Sequence, residues 1–331
     1  MTATWGLRDY DDQFFARELD SFVPDRVFDA HAHLYHIKHW ERAQGAVSGP
    51  EVVTIEEFQR QIAWLMPRRK VTGLFFGVGF HAGFMESNHF VAEQVRPHSG
   101  NFSHMLVAPD MDPEQVRETA KRLGFRGLKV YHSFVPAKPT WNADISSFLA
   151  EEHVRVADEE GWTITLHMVR NRAMADPANQ ERILYYCRKY PNMKLILAHA
   201  ARGFNAYHTI EGIQVLRGLN NVWCDVSAVT ESGAMEAIID VLGHERMLWG
   251  SDYPISHRRG RCVSMGDQFV WLCEETLDWD TVSALGKVEL LFIGHESLRA
   301  LKQAAMRMRL SDSQVEDIFY NNALRLLTGG A

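Results

Sequence analysis

Eight short runs rich in β-branched, aromatic and aliphatic residues recur along this chain, each followed by a stretch of helical periodicity. They lie at Val27–His33, Val71–Phe80, Phe102–Pro109, Phe125–His132, Trp162–Met168, Lys194–His199, Val222–Ala228 and Arg246–Asp252. Amphipathic stretches such as Asp144–Glu160 and Pro177–Tyr190 separate them. Strands alternating with helices are joined by right-handed crossovers into a parallel sheet. Eight such units predict an α/β fold in which the sheet closes on itself, a (β/α)8 or TIM barrel. An open, doubly wound sheet is the alternative, but no GxGxxG follows the first strand. In a closed barrel, chemistry sits at the C-terminal ends of the strands. The residues that end each run therefore carry the functional question.

No repeat of fixed sequence, low-complexity tract or linker interrupts the 331 residues, so a single domain is expected. Its barrel spans about residues 25–280, and a helical extension from about 281 to 331 packs outside it. That extension's last helix has Ser313 and Glu316 as a capping pair and stops at Gly329-Gly330. Tyr35 to Glu56 forms a long connection bearing His36, His39 and Trp40, of the kind that covers an active site.

A net charge of -7 and a pI near 6.1 argue against a nucleic-acid partner. No apolar run reaches the roughly 18 residues that span a membrane. Met1 to Asp12 carries acids and no apolar core, so no signal peptide is expected. Cys187, Cys224, Cys262 and Cys273 form no CxxC and no disulfide framework, which fits a reducing cytoplasm. A homo-oligomer is left open.

The first run ends His31-Ala32-His33, and alternation along a strand puts both imidazoles on one face. His167 ends the fifth run, His199 the sixth and Asp252 the eighth. Taken singly, each has an ordinary reading: a satisfied core histidine, or an aspartate capping the turn before Tyr253-Pro254. Together they fall at one height of a barrel. Imidazoles plus one carboxylate suit a borderline divalent ion such as zinc, with a coordination position left for water.

The motifs Asp29–Leu34 (DAHAHL), Gly127–Lys129 (GLK), the strand-end His167, Leu197–Arg202 (LAHAAR), Gly250–Pro254 (GSDYP) and Asn322–Leu327 (NALRLL) together resemble the amidohydrolase superfamily. The resemblance is to its amidohydrolase-2 branch, with its aminocarboxymuconate-semialdehyde decarboxylase-like enzymes, over about residues 25–328. It implies one divalent metal, zinc first, held or adjoined by His31, His33, His167 and Asp252. It also implies that His199 acts on the substrate or the metal-bound water, with Asp252 accepting a proton. Asp29 shares the strand parity of the two histidines and either orients one of them or is an inner-layer polar residue. Lys129 has three readings: a free cation for substrate, a carboxylated bridge between two metals, or a lysine snorkelling at the barrel rim.

Cations gather on the loops that follow these strand ends, in an otherwise acidic chain. Arg170 and Arg172 follow the fifth strand, Arg202 the sixth, and His257, Arg258, Arg259 and Arg261 the eighth. Guanidinium forks match carboxylates, so Arg202 and one of Arg258, Arg259 or Arg261 are expected to bind a small anionic substrate. Lys129 and Tyr131 are candidates beside them, and Trp40, Phe84 and Tyr131 could line a pocket. The function expected is a metal-dependent hydrolase using metal-activated water on a small carboxylated compound: a lactone, an amide or a C–C bonded keto acid. A non-oxidative decarboxylase or hydratase is the alternative. A non-catalytic ligand-binding barrel has no reason to retain all five strand-end residues. A TatD-like nuclease would need an acidic motif where Arg126-Gly127-Leu128-Lys129 stands.

Overall fold

The computed structural model describes residues 5–39, 49–78, 83–135, 138–277 and 288–329. Trp40, the last two residues of the second predicted strand and the expected barrel–extension boundary near 280 lie outside them. All eight predicted strands are present. They are β1 (Arg26–His33), β2 (Lys70–Phe76), β3 (Phe102–Ser103 and Met105–Leu106), β4 (Gly127–Val130), β5 (Thr163–Leu166), β6 (Lys194–Leu197), β7 (Val222–Asp225) and β8 (Met247–Leu248).

Each neighbour is parallel to the next, and two junctions complete the ring. The first half of β3 pairs with β2 and its second half with β4, so one strand broken at His104 bridges both. At the other seam, Ala30 donates its N–H to the Trp249 carbonyl at 2.9 Å, and His33 donates to that of Tyr253 at 3.1 Å. The sheet is therefore a closed eight-stranded barrel.

One helix follows each strand: α1 (Ile55–Leu65), α2 (Phe84–Val95), α3 (Pro113–Leu123), α4 (Glu151–Glu160), α5 (Pro177–Lys189), α6 (Ala206–Gly212), α7 (Ser232–Leu242) and α8 (Ile293–Arg307). Their starts are written in local chemistry. Thr54 caps α1, while Asp112 and Asp176 cap α3 and α5 ahead of a proline that needs no N–H partner. Helix α4 begins seven residues later than the periodicity suggested, after a short 3-10 turn at Ile145–Ser147.

The C-terminal extension closes the barrel's floor. Ala323, Leu326 and Leu327 of the final helix, Asn322–Thr328, join Phe28, Ala30, Leu74, Phe76, Ile196 and Leu248 in one apolar cluster. Burial of that cluster seals the end opposite the strand C-termini. The helical run leading into it starts earlier than expected, because Ser311 and Gln314 form the capping box in place of Ser313 and Glu316.

A β-hairpin in the loop after β8 was not expected. Strands β9 (Gly260–Met265) and β10 (Gln268–Cys273) pair antiparallel, with Met265 opposite Gln268. The two-residue turn has Gly266 at φ +57°, as a type II′ turn requires at its first central position. Among the described residues, no helix is long and apolar enough to cross a membrane.

Candidate metal centre and substrate cavity

The strand-end side chains meet above the barrel core. His31 Nε2 lies 3.5 Å and His33 Nε2 3.4 Å from Asp252 Oδ1. His199 Nδ1 is 4.0 Å from Asp252 Oδ2. Ligand atoms of His31, His199 and Asp252 all fall within 4.8 Å of one another, and all three residues are buried. The half-buried His167 joins at the side, its ring centroid 5.0 Å from that of His199.

Acceptors behind the histidines aim their other nitrogens inward. The Nδ1–H of His31 donates to Asp225 Oδ2 at 2.9 Å, that of His33 to the Gly77 carbonyl at 3.0 Å, and that of His199 to the Ser227 carbonyl at 3.1 Å. With Nδ1 committed as donor, Nε2 keeps its lone pair, which is the tautomer a metal ligand needs. His167 differs: its buried Nδ1 has no protein partner. An orphaned buried nitrogen beside three oriented imidazoles and a carboxylate is what a bound cation would satisfy. The donor set fits a divalent ion.

Electrostatics point the same way. Burial, reinforced by Lys129 and His199, holds the His31 imidazole far below its ordinary pKa, and burial with His199 does the same at His167. Both are neutral and able to ligate at pH 7. Burial pushes the carboxyl of Asp252 up, but His199 and His33 outweigh it and hold it below its ordinary value, so it is ionised.

Two pieces of backbone carry these side chains. Gly250 passes so close to β1 that a Cβ there would sit 2.9 Å from His31 Cβ, which accounts for glycine at the head of the Gly250–Pro254 motif. His199, Ala200, Ala201 and Arg202 form a left-handed turn with φ between 53° and 58°. Such a turn costs L-residues about 1–2 kcal/mol each. The Gly203 N–H bonded to the His199 carbonyl, Thr209 Oγ1 on the Ala200 carbonyl and Asp225 Oδ1 on the His199 N–H hold it closed. Strain of this kind, over-determined by its surroundings, sets where His199 and Arg202 stand.

Lys129 is fully buried, with Nζ 3.3 Å from His31 Nε2 and 4.3 Å from the Phe76 ring centroid. The reading of a lysine snorkelling at the rim is thereby corrected, since no part of this side chain reaches solvent. Burial brings its pKa down to about 8. Tyr131 Oη is 3.5 Å from His33 Nε2. Asp29 orients no imidazole. Its Oδ1 accepts the backbone N–H groups of His31 and Ser251, clipping β1 to the segment after β8, and burial raises its pKa to about 7.

Arg202 reaches a cavity of about 540 Å³ that adjoins the histidines and is walled by His167, Phe204, Phe269, Trp271, Trp141 and Arg170. Its Nη1 donates to the Arg170 carbonyl at 2.8 Å. The eighth-loop arginines are not brought there. Arg259 is buried in a bidentate pair with Asp11, at 2.9 and 2.6 Å. Arg258 is paired with Glu275, and Arg261 donates to the Thr230 carbonyl at 3.0 Å. The expectation that one of these three binds substrate is corrected: each already has a partner, and none lines the cavity. Arg170 and Arg172 pair with Asp144 and Asp176 and with Glu211.

Sequence reading missed Asp225, a fully buried carboxylate that ends β7 and serves His31, His199 and Ser227 together. Its signal was present: an aspartate ending Val222-Trp223-Cys224-Asp225, level with the other strand-end residues. Phe204 was missed as well, its ring stacked on His199 at 5.1 Å.

Comparison with known proteins agrees with this fold. An L-fucono-1,5-lactonase from Burkholderia ambifaria is 31% identical over 121 residues, which is 32% of this chain and 41% of the relative. The match thus spans about two-fifths of that enzyme. An amidohydrolase from Burkholderia multivorans superposes with a TM-score of 0.60 at 12% identity, covering 91% of this chain and 99% of the other. A second crystal form of it holds zinc and gives a TM-score of 0.56 at 13% identity over 91% of this chain and 99% of the other. A 4-oxalomesaconate hydratase from Rhodopseudomonas palustris gives 0.57 at 13% identity, over 91% and 95% of the two chains. The amidohydrolase family model matches residues 28–328, from the first site strand through the helix under the floor. That span takes in every strand end described above, and the chain belongs to the amidohydrolase family.

Proposed function

We propose that this protein is a metal-dependent hydrolase of small carboxylated compounds, with a lactone as the first substrate class to test. The observation that carries the reading is the convergence of His31, His199 and Asp252 within 4.8 Å, with the Nδ1 of each histidine held by an acceptor behind it. The zinc-bound relative of the same fold and the lactonase support it.

His31, His33, His167 and Asp252 would hold the ion, with His199 beside them. A divalent cation there supplies Lewis acidity toward a carbonyl oxygen and lowers the pKa of water to about 7. The chain's own groups do the rest. Asp252, ionised and buried, takes up a proton at Oδ2. His199, held through its Nδ1–H on the Ser227 carbonyl, presents an unprotonated Nε2 that takes up a proton released by the attacking water and hands it to the leaving oxygen. Arg202 fixes the substrate carboxylate, because it borders the cavity that His167 also lines.

Metal analysis of the purified protein, followed by a lactone panel read as acid release, tests this. About one zinc per chain and chelator-sensitive turnover are expected. Metal-free protein that hydrolyses lactones would overturn the metal reading, and two ions with a modified Lys129 would overturn the single-ion one. His199→Ala separates its roles, since a ligand takes the metal with it and a proton carrier does not. Arg202→Ala should raise KM at least tenfold with kcat within about threefold, as for a contact made equally in ground and transition states. The same metal and histidines could serve a decarboxylase or hydratase. CO2 release, or water addition without ring opening, would identify those.

A further inference from the structure

The far half of the cavity is built by the hairpin after β8, and its chemistry is not that of the metal end. Phe269 and Trp271 are two apart on β10, so both face the same way. Their ring centroids lie 5.2 and 5.3 Å from that of Phe204, within the offset and edge-on range of aromatic contacts. Phe204 in turn stacks on His199. Aromatic surface therefore runs unbroken from the proposed proton carrier to the hairpin. The guanidinium of Arg202 sits 5.5 Å from the Phe269 ring centroid, so an anion on Arg202 has an apolar wall directly beside it.

These rings are not consumed by the hairpin's own packing. Gly260, Cys262 and Cys273 are its buried residues, whereas Phe269 and Trp271 are only partly buried against the core and line the cavity. Trp141, across the mouth, is 57% exposed. The volume of about 540 Å³ lies within the roughly 300–1,000 Å³ of sites that enclose drug-sized ligands. Asn142, Asn171 and Gln268 complete the lining, and Gln268 is already bonded to Asn171, so hydroxyls set against the faces of Phe269 and Trp271 would find no hydrogen-bond partner there.

From this we infer that the ligand is an amphiphilic anion: a carboxylate on Arg202 joined to a flat apolar group of about two fused rings, selected by Phe269 and Trp271. The inference rests on the reading of this cavity as the substrate site.

Its test is a binding measurement, so that it stands apart from the hydrolase reading. Calorimetric titration of the purified full chain would compare naphthalene-2-carboxylate with gluconate, which carries the same charge and many hydroxyls. Naphthalene-2-carboxylate should bind at least tenfold more tightly. Trp271→Ala should remove at least tenfold of that affinity, and Trp271→Leu should do so with apolar bulk retained, both with unchanged circular dichroism. Equal or tighter gluconate binding, no detectable naphthalene-2-carboxylate binding, or wild-type affinity in Trp271→Leu would each overturn the inference. Protein that discriminates the two anions yet holds no metal and opens no lactone would sustain the ligand assignment and sink the hydrolase reading. A zinc-dependent lactonase that binds both anions alike would do the reverse.

Discussion

Asp225 Oδ2 stands 2.9 Å from His31 Nδ1, with both side chains essentially sealed from solvent. The other oxygen of the same carboxylate takes the His199 N–H and the Ser227 hydroxyl. One buried group thus fixes the tautomer of one imidazole and the backbone under another, and ties the proposed ligand His31 to the proposed proton carrier His199.

Asp225→Asn should therefore weaken metal binding about 10- to 100-fold, in line with losses seen when the partner of a ligating histidine is removed. An amide offers one acceptor and one donor where the site presents donors only, so a buried N–H is left facing another. Chelator competition on the purified variant measures the change. Unaltered metal affinity would mean that the strand ends alone orient His31.

How much of this was legible in sequence depends on distance along the chain. The carrier residues near the ends of β5, β6 and β8 were legible because they follow short apolar runs with strand-length spacing, but the predicted strands run two to four residues too long, to Met168, His199 and Asp252. The paired strands stop earlier, β5 at Leu166, β6 at Leu197 and β8 at Leu248, placing His167 one, His199 two and Asp252 four residues beyond them. The hairpin was hidden because Arg258 to Arg261 made its loop read as a cation cluster. Arg259 was misread for a physical reason: its partner Asp11 lies 248 residues away, and no local pattern reports that pairing. Asp225 was overlooked because a lone acid ending a strand has no spacing partner to announce it.

Arg259 supplies a test of that correction. Its pair with Asp11 has side-chain exposures of 1% and 0%, and Phe292 packs 4.3 Å from the guanidinium. Removing one partner strands a buried charge, so Asp11→Asn or Arg259→Ala should cost about 3–5 kcal/mol. Denaturant unfolding reads this directly, while KM and kcat per folded molecule should stay at wild-type values. A raised KM with unchanged stability would return Arg259 to the substrate site.

Acid sensitivity follows from histidines that the fold keeps neutral. Burial depresses His257 and His104 to about 3 and His295 to about 4, against an ordinary 6.5. Below pH 6.5 the unfolded chain binds protons at these positions and the native protein does not. Each group then removes about 1.4 kcal/mol of stability per pH unit until its folded pKa is reached. The melting temperature should hold above pH 6.5 and fall steeply from there toward pH 4. His295→Gln retains an N–H for the Leu65 carbonyl but titrates nothing, so its decline should be shallower by one proton. An identical slope in the variant would show that His295 is protonated in the native state.

Asp252 is where metal holding and proton transfer compete for one carboxylate. Its Oδ1 lies near His31 and His33, and its Oδ2 faces His199. Asn at this position keeps a ligating oxygen but has no carboxylate to protonate. Asp252→Asn should retain substantial zinc, with some loss of affinity because a neutralising charge is gone, and should lose on the order of 10²-fold or more in kcat. Zinc content and single-turnover rates measured on the same preparation separate the two effects. Near-wild-type turnover with metal retained would move proton transfer to His199, the nearest remaining titratable group whose Nε2 is uncommitted. Complete loss of zinc would make Asp252 chiefly a ligand, and the wild-type dependence of kcat on pH would then identify the proton carrier.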